Sequence, residues 1–164
     1  MPPSEATLIR LHTDHAINAY RFAWSVTKDE PLAQDVVQEL FLKLARDADA
    51  ITNAASEHAV IFTLVRNLAL DALRRRAREG KALSQWEEQV PAWFEPSQDD
   101  ETHQQLVTAL VTLPEEQRSV VHLHVWEEMS FREIGELLTL PTQTVASRYR
   151  YALEKLRTQK HTLV

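Results

Sequence analysis

The chain contains no cysteine, which excludes disulfides and any thiolate-held metal and agrees with a reducing compartment. Glycine is nearly as scarce, with 2 residues in 164, and proline stands at 7. With apolar residues recurring at helical spacing, an all-α fold follows. No apolar run approaches the roughly 18 residues that a membrane span needs. The opening MPPSEATLIRLHTDH holds acids and lacks a basic-then-apolar export pattern, so a cytoplasmic protein is expected. Also missing are a paired nucleophile and base, a phosphate loop and a metal-ligand set. Neither an enzyme nor a cofactor is expected.

An excess of positive charge is lacking too: the formal net charge is −6. Its distribution says more than its sum. Arg74, Arg75, Arg76, Arg78 and Lys81 stand close together against the single acid Glu79. From Ala82 to Gln117 there are acids and neither lysine nor arginine. Bases return in Arg148, Arg150, Lys155, Arg157 and Lys160. Two basic helix ends thus flank an acidic middle, which DNA phosphates would repel and a protein partner or open solvent would suit.

What the chain does have is clearest in MSFREIGELLTLPTQTVASRYRYALEKLR, Met129 to Arg157. Ser130 with Glu133 forms a capping box, which starts a helix at Phe131. Phe131, Ile134, Leu137 and Leu138 give it one apolar stripe. Pro141 stops this helix and opens the next, as its first helical residue. In that second helix Val145, Tyr149, Ala152, Leu153 and Leu156 turn inward. Thr142, Gln143, Thr144, Ser147, Arg148, Arg150 and Tyr151 remain for the outside and its margins. The pattern fits a helix-turn-helix whose second helix enters a DNA major groove. It also fits a plain helical hairpin with a solvated charged face.

Upstream, Ser4 caps a helix running to about Val26, with Leu8, Leu11, His15, Ile17, Ala19, Phe22 and Val26 on a broad apolar face. His12 and His15 stand one turn apart, and with no third ligand in view they read as surface or packing histidines. Lys28 to Glu30 forms a turn, and Pro31 opens a helix to about Arg46. Its stripe is Val36, Leu40 and Leu44, with Val37 and Phe41 alongside. The other side, Asp35, Gln38, Glu39 and Leu42, reads on periodicity alone as a solvated face. A small-residue connection, Asp47 to Ser56, leads to a long helix from Glu57 to about Arg78. Val60, Ile61, Leu64, Val65, Leu68, Leu70 and Leu73 supply its core. Arg66, Asn67, Asp71, Arg74, Arg75, Arg76 and Arg78 supply a basic side, denser than complementing the macrodipole requires and suited to tracking phosphates. A linker with Trp86, Trp93 and Phe94 follows to about Thr102. Helices are then expected from Gln104 to Val111 and from Leu113 to about Trp126. His122 and His124, two apart, share no helix face and so no metal.

Three segments in order, DVVQELFLKLAR, FTLVRNLALDALRRRAR and LVTALVTLPEEQRSVVHLHVWEEMSFREIGELLTLPTQTVASRYRYALEKLR, resemble the extracytoplasmic-function (ECF) sigma factors of bacterial RNA polymerase, within the sigma-70 family. The resemblance implies two small helical domains: a sigma-two type over 1–80 and a sigma-four helix-turn-helix over 103–164, joined by an acidic linker over 81–102. It implies that Asp35, Gln38, Glu39, Phe41 and Leu42 grip core polymerase, which reverses the solvated-face reading of that helix. It implies that Arg66, Asn67, Asp71, Arg74, Arg75, Arg76 and Arg78 meet the melted minus-ten element. Thr142, Gln143, Thr144, Ser147, Arg148, Arg150 and Tyr151 would read the minus-thirty-five element. Core polymerase, promoter DNA and an anti-sigma protein are the implied partners. The chain departs from the resembled pattern at Thr139, where many relatives have glycine in the turn. It departs at Val60, where a tryptophan is frequent, and at Ala146, where a basic residue is common. A stand-alone helix-turn-helix regulator and a sigma-like decoy for an anti-sigma protein are the alternatives.

Overall fold

The structure is a computed structural model that describes residues 2–52, 56–80 and 109–162. The chain divides into two compact units, Met1–Leu83 and Ser84–Val164. All regular structure among the described residues is helical. The expected linker, 81–102, and most of the helix expected from Gln104 lie outside the described residues, while residues 109–111 are helical.

In the first unit α1 spans Glu5–Thr27, α2 Glu30–Arg46, α3 Asp49–Thr52 and α4 Glu57–Arg78. The Ser4 hydroxyl accepts from the Thr7 N–H and starts α1 as its spacing predicts. The turn after α1 is one residue shorter than expected. Lys28 takes a left-handed conformation, φ 54°, and donates to the Trp24 carbonyl. Asp29 then caps α2 through its carboxylate, which accepts from the Leu32 N–H at 2.9 Å, so that Glu30 rather than Pro31 is the first helical residue. The short α3 occupies the stretch expected to be a plain connection; the Asp47 carboxylate accepts from the Asp49 N–H and supplies the local start signal.

Helices α1, α2 and α4 pack on one another around Leu11, Phe22, Val36, Leu40, Ile61, Phe62 and Val65. The Phe22 and Phe62 rings meet at 5.3 Å between centroids. Ile17, assigned to the apolar face of α1, is instead 66% exposed. The stripe through Leu11, Ala19, Phe22 and Val26 is already complete, and Ile17 falls off its phase.

In the second unit α5 spans Glu115–Val121, a π-helical turn follows over His122–Trp126, α6 spans Phe131–Leu138 and α7 Thr142–Thr162. The helix expected to run to Trp126 therefore changes hydrogen-bond pattern at His122. The Glu127 N–H donates to the His122 carbonyl, five residues back. The wider turn allows His122 to stack on Trp126, and two residues after it Glu128, φ 56°, turns the chain toward α6. His124 packs elsewhere, against Phe131 and Tyr149, and its Nδ1 donates to the Met129 carbonyl at 2.9 Å. Beneath α5 and α7 lies a core of Ala109, Leu110, Leu113, Val121, Ala152 and Leu156. Arg118 is buried beside it and donates to the Leu113 carbonyl at 2.6 Å, which fastens the turn before α5. Burial pushes its guanidinium down to about 10.

Candidate nucleic-acid interface

The candidate reading helix is α7, and α6 with its turn sets its position. Both halves of the predicted capping box form: Glu133 N–H to Ser130 Oγ at 3.1 Å and Ser130 N–H to Glu133 Oε1 at 3.3 Å. Helix α6 ends on Thr139 in the left-handed conformation, φ 59° and ψ 50°. The turn is therefore the one that favours glycine, made here with a β-branched residue. The glycine that matters is one turn earlier. A Cβ on Gly135 would lie 2.7 Å from the Leu140 carbonyl oxygen, so the close approach of α6 to the turn depends on its absence. Pro141 stands one residue before α7 rather than inside it. Its carbonyl accepts from Thr144 and Val145, which is the role of a cap.

On α7 the inward stripe is as the spacing predicts, with Val145, Ala152 and Leu156 buried and Tyr149 and Leu153 half-buried. The outward side carries the candidate readers. Thr142, Gln143, Arg150 and Tyr151 are exposed, and Thr144, Ser147 and Arg148 are half-buried at the margins. At about 100° per residue, Gln143, Ser147, Arg150 and Tyr151 cluster opposite Val145 and Ala152. The Arg150 guanidinium lies 5.4 Å from the centre of the Tyr151 ring, a cation–π contact that holds both side chains at the surface. Tyr151 also lines a shallow depression with Gln117, Glu154, Lys155 and Thr158.

In the first unit the candidate residues of α2 and α4 meet along one cleft, lined by Leu32, Asp35, Val36, Glu39, Ala72, Arg75, Arg76 and Glu79. On α2, Asp35, Gln38 and Glu39 are exposed, and Leu42 stands out at 58% exposure. Phe41 is half-buried, its ring 4.9 Å from that of His12, so it joins α2 to α1 as well as bordering this face. On α4, Asn67, Asp71, Arg74, Arg75 and Arg78 are exposed and Arg66 is half-buried. Arg74 pairs with Asp71 at 3.1 Å. Arg76 differs from its neighbours: its side chain is only 14% exposed and binds the Asp29 carboxylate. Sequence reading missed Asp29. Its signal was there, an aspartate two residues before the proline that opens a helix. Val60 and Ala146, two of the departures, are both half-buried.

Among the described residues, one side-chain cluster has the donor types of a metal site. Asp14, His15 and Glu57 bring one donor atom each within 4.8 Å of one another. The Glu57 carboxylate, however, is already engaged by Arg10 and by His15. No helix among the described residues is long and apolar enough to cross a membrane.

Comparison with known proteins agrees with this geometry. The family "Sigma-70 region 2" matches residues 11–79, and "Sigma-70, region 4" matches residues 109–158. The ECF RNA polymerase sigma factor SigL of Mycobacterium tuberculosis is 32% identical over 159 residues, covering 94% of this chain and 89% of SigL. RNA polymerase sigma factor SigV of Bacillus subtilis is 27% identical over 156 residues, 95% of this chain and 92% of SigV. Among solved structures, the sigma factor RpoE in complex with the anti-sigma factor NepR, from Bartonella quintana, shares the fold with a TM-score of 0.77 at 22% identity, over 93% of this chain and 95% of RpoE. With a sigma-two type unit followed by a sigma-four type helix-turn-helix, the chain belongs to the ECF sigma factors of bacterial RNA polymerase.

Proposed function

We propose that this chain binds core RNA polymerase in the cytoplasm through the outward face of α2, reads a promoter at two places, and carries out no bond chemistry of its own. Asp35, Gln38, Glu39, Phe41 and Leu42 form the polymerase-facing set. Arg66, Asn67, Asp71, Arg74, Arg75 and Arg78 follow the melted minus-ten strand, where an arginine track suits an unpaired backbone. Thr142, Gln143, Thr144, Ser147, Arg148, Arg150 and Tyr151 face the minus-thirty-five duplex. Residues 1–80 and 103–164 act as the two working domains, and 81–102 as the link between them.

One observation carries this reading: each unit presents a helix with an exposed basic face, in a chain whose net charge is −6. Such a chain gains little from charge alone, and its two weak readers become effective when polymerase holds them at fixed spacing. The free protein then binds promoter DNA weakly and the holoenzyme binds it tightly. That RpoE crystallises with an anti-sigma factor supports the same kind of control here, by a protein that covers the polymerase-facing surfaces. A gel shift of promoter DNA at near-physiological salt, with and without core polymerase, tests the proposal. Retardation only in the presence of both is expected, and tight binding by the free chain would point to a stand-alone regulator.

A further inference from the structure

We propose that Arg76 is a positioning residue, not a promoter contact: through Asp29 it fixes the basic end of α4 against the start of α2. The inference rests on the division of labour proposed above, with α2 held by polymerase and α4 facing DNA.

The Asp29 carboxylate does two things at once. One oxygen accepts from the Leu32 N–H and caps α2, and the other accepts from Arg76 Nη2 in the last turn of α4. Both side chains are enclosed, Asp29 at 3% exposure and Arg76 at 14%, whereas Arg74 in the same turn is 69% exposed. The second terminal nitrogen of Arg76, Nη1, is buried and finds no hydrogen-bond partner among the described residues. A guanidinium so far removed from water depends on its one carboxylate, because a buried charge without its partner is strongly unfavourable. It is also poorly placed to reach a phosphate without first leaving Asp29.

The pair lies where it can matter for initiation. From the Asp29 cap α2 continues to Asp35 and Glu39, and these line one cleft with Arg75 and Arg76 of α4. The last buried apolar residue of α4 is Ala69, and its final turn, Arg75–Arg78, buries no apolar side chain, which leaves that turn to be held by polar contacts. The Asp29–Arg76 pair supplies such a contact. When polymerase holds α2, the pair then sets where Arg74, Arg75 and Arg78 point.

A double-mutant cycle of Asp29→Asn and Arg76→Gln in the holoenzyme tests this, with core affinity and open-complex yield read across a salt series. Asparagine keeps the helix cap and removes the charge. Each single variant is expected to lower open-complex yield about tenfold, the double variant to be no worse than either, and core affinity to stay unchanged. The slope of log affinity against log salt is expected to stay at its wild-type value. Multiplying effects, with Arg76→Gln alone reducing that slope by about one, would make Arg76 a phosphate contact and overturn the proposal. A parallel loss of core affinity would also overturn it, by reducing the pair to a general fold contact. Should Arg76→Gln not fold, Arg76→Lys replaces it in the same cycle. The cycle is repeated on thermal unfolding of the free protein. Absence of coupling there sinks the pair itself, whereas a wild-type holoenzyme that opens no promoter sinks the initiation reading instead.

Discussion

Arg10 meets Glu57 fork to fork: its Nη1 donates to one carboxylate oxygen at 3.0 Å and its Nη2 to the other at 3.0 Å. His15 adds a third contact, Nε2 to Oε1 at 2.7 Å. Because Arg10 and His15 stand on α1 and Glu57 is the first residue of α4, this cluster fastens two helices whose middles are joined by apolar packing. The hydrogen bonds from Arg10, and after them that from His15, hold the Glu57 carboxyl at about 2, well below its ordinary 4.5.

A pH prediction follows from the sign of that shift. The folded protein binds the Glu57 proton less readily than the unfolded chain does, so the stabilisation is complete above about pH 4.5 and is lost as pH falls toward about 2. Thermal unfolding of Glu57→Gln beside the wild type checks it. The wild type is expected to be the more stable at neutral pH, with the gap closing across that acid window. A gap that stays constant down the series would show that the carboxylate contributes through shape alone.

The turn between α6 and α7 gives a pair of opposite effects. Thr139→Gly relieves a left-handed β-branched residue and is expected to stabilise the protein by about 1 kcal/mol, less the entropy that glycine adds to the unfolded chain. Gly135→Ala forces a Cβ against the Leu140 carbonyl oxygen and is expected to cost about 1–3 kcal/mol, as other overpacked sites do. Urea unfolding of both variants reads the two signs. A destabilised Thr139→Gly would mean that the threonine side chain has a favourable contact outweighing its backbone strain.

Truncation of Leu42 is expected to separate polymerase binding from folding. At 58% exposure its truncation to alanine is expected to change stability by no more than about 0.5 kcal/mol. As a member of the proposed polymerase-facing set, its loss is expected to weaken core binding by about tenfold, since an apolar anchor in an interface is commonly worth about 1–2 kcal/mol. Titration of labelled core polymerase measures this, and unchanged affinity would remove Leu42 from the interface.

On α7, Arg150→Ala is expected to weaken holoenzyme binding to promoter DNA, and the salt dependence divides the two ways it can do so. A phosphate contact lowers the log–log salt slope by about one and weakens all sequences alike. A base contact leaves the slope and relaxes preference at one promoter position, at about 1–3 kcal/mol. Binding unchanged in strength, slope and preference would show that Arg150 serves only its contact with Tyr151.

Helix identity and phase were legible in the residues wherever a local signal stood alone. Ser4, the Ser130–Glu133 box and the Val145–Ala152–Leu156 stripe each rest on side chains within a turn or two of one another. What was not legible depended on groups distant in sequence or on backbone adjustments. Arg76 read as one more base in a run, because its partner Asp29 is 47 residues away. The same separation hid the Arg10–Glu57 fork, and with it the reason His15 is half-buried. The π turn at His122–Trp126 changes which carbonyl each N–H finds and which residues share a face, and no residue in the turn announces it beforehand. Ile17 is exposed although its spacing puts it on a broad apolar face, and such a face does not show which of its residues are in phase with the core.

Run-off transcription with bacterial core polymerase on a genomic promoter library, with and without this protein, asks whether the chain directs initiation. Discrete start sites that appear only when the protein is added are predicted, with a shared element near minus ten and another near minus thirty-five. Core polymerase that binds the protein yet starts nowhere new, or that fails to bind it, would show that the chain does not direct initiation.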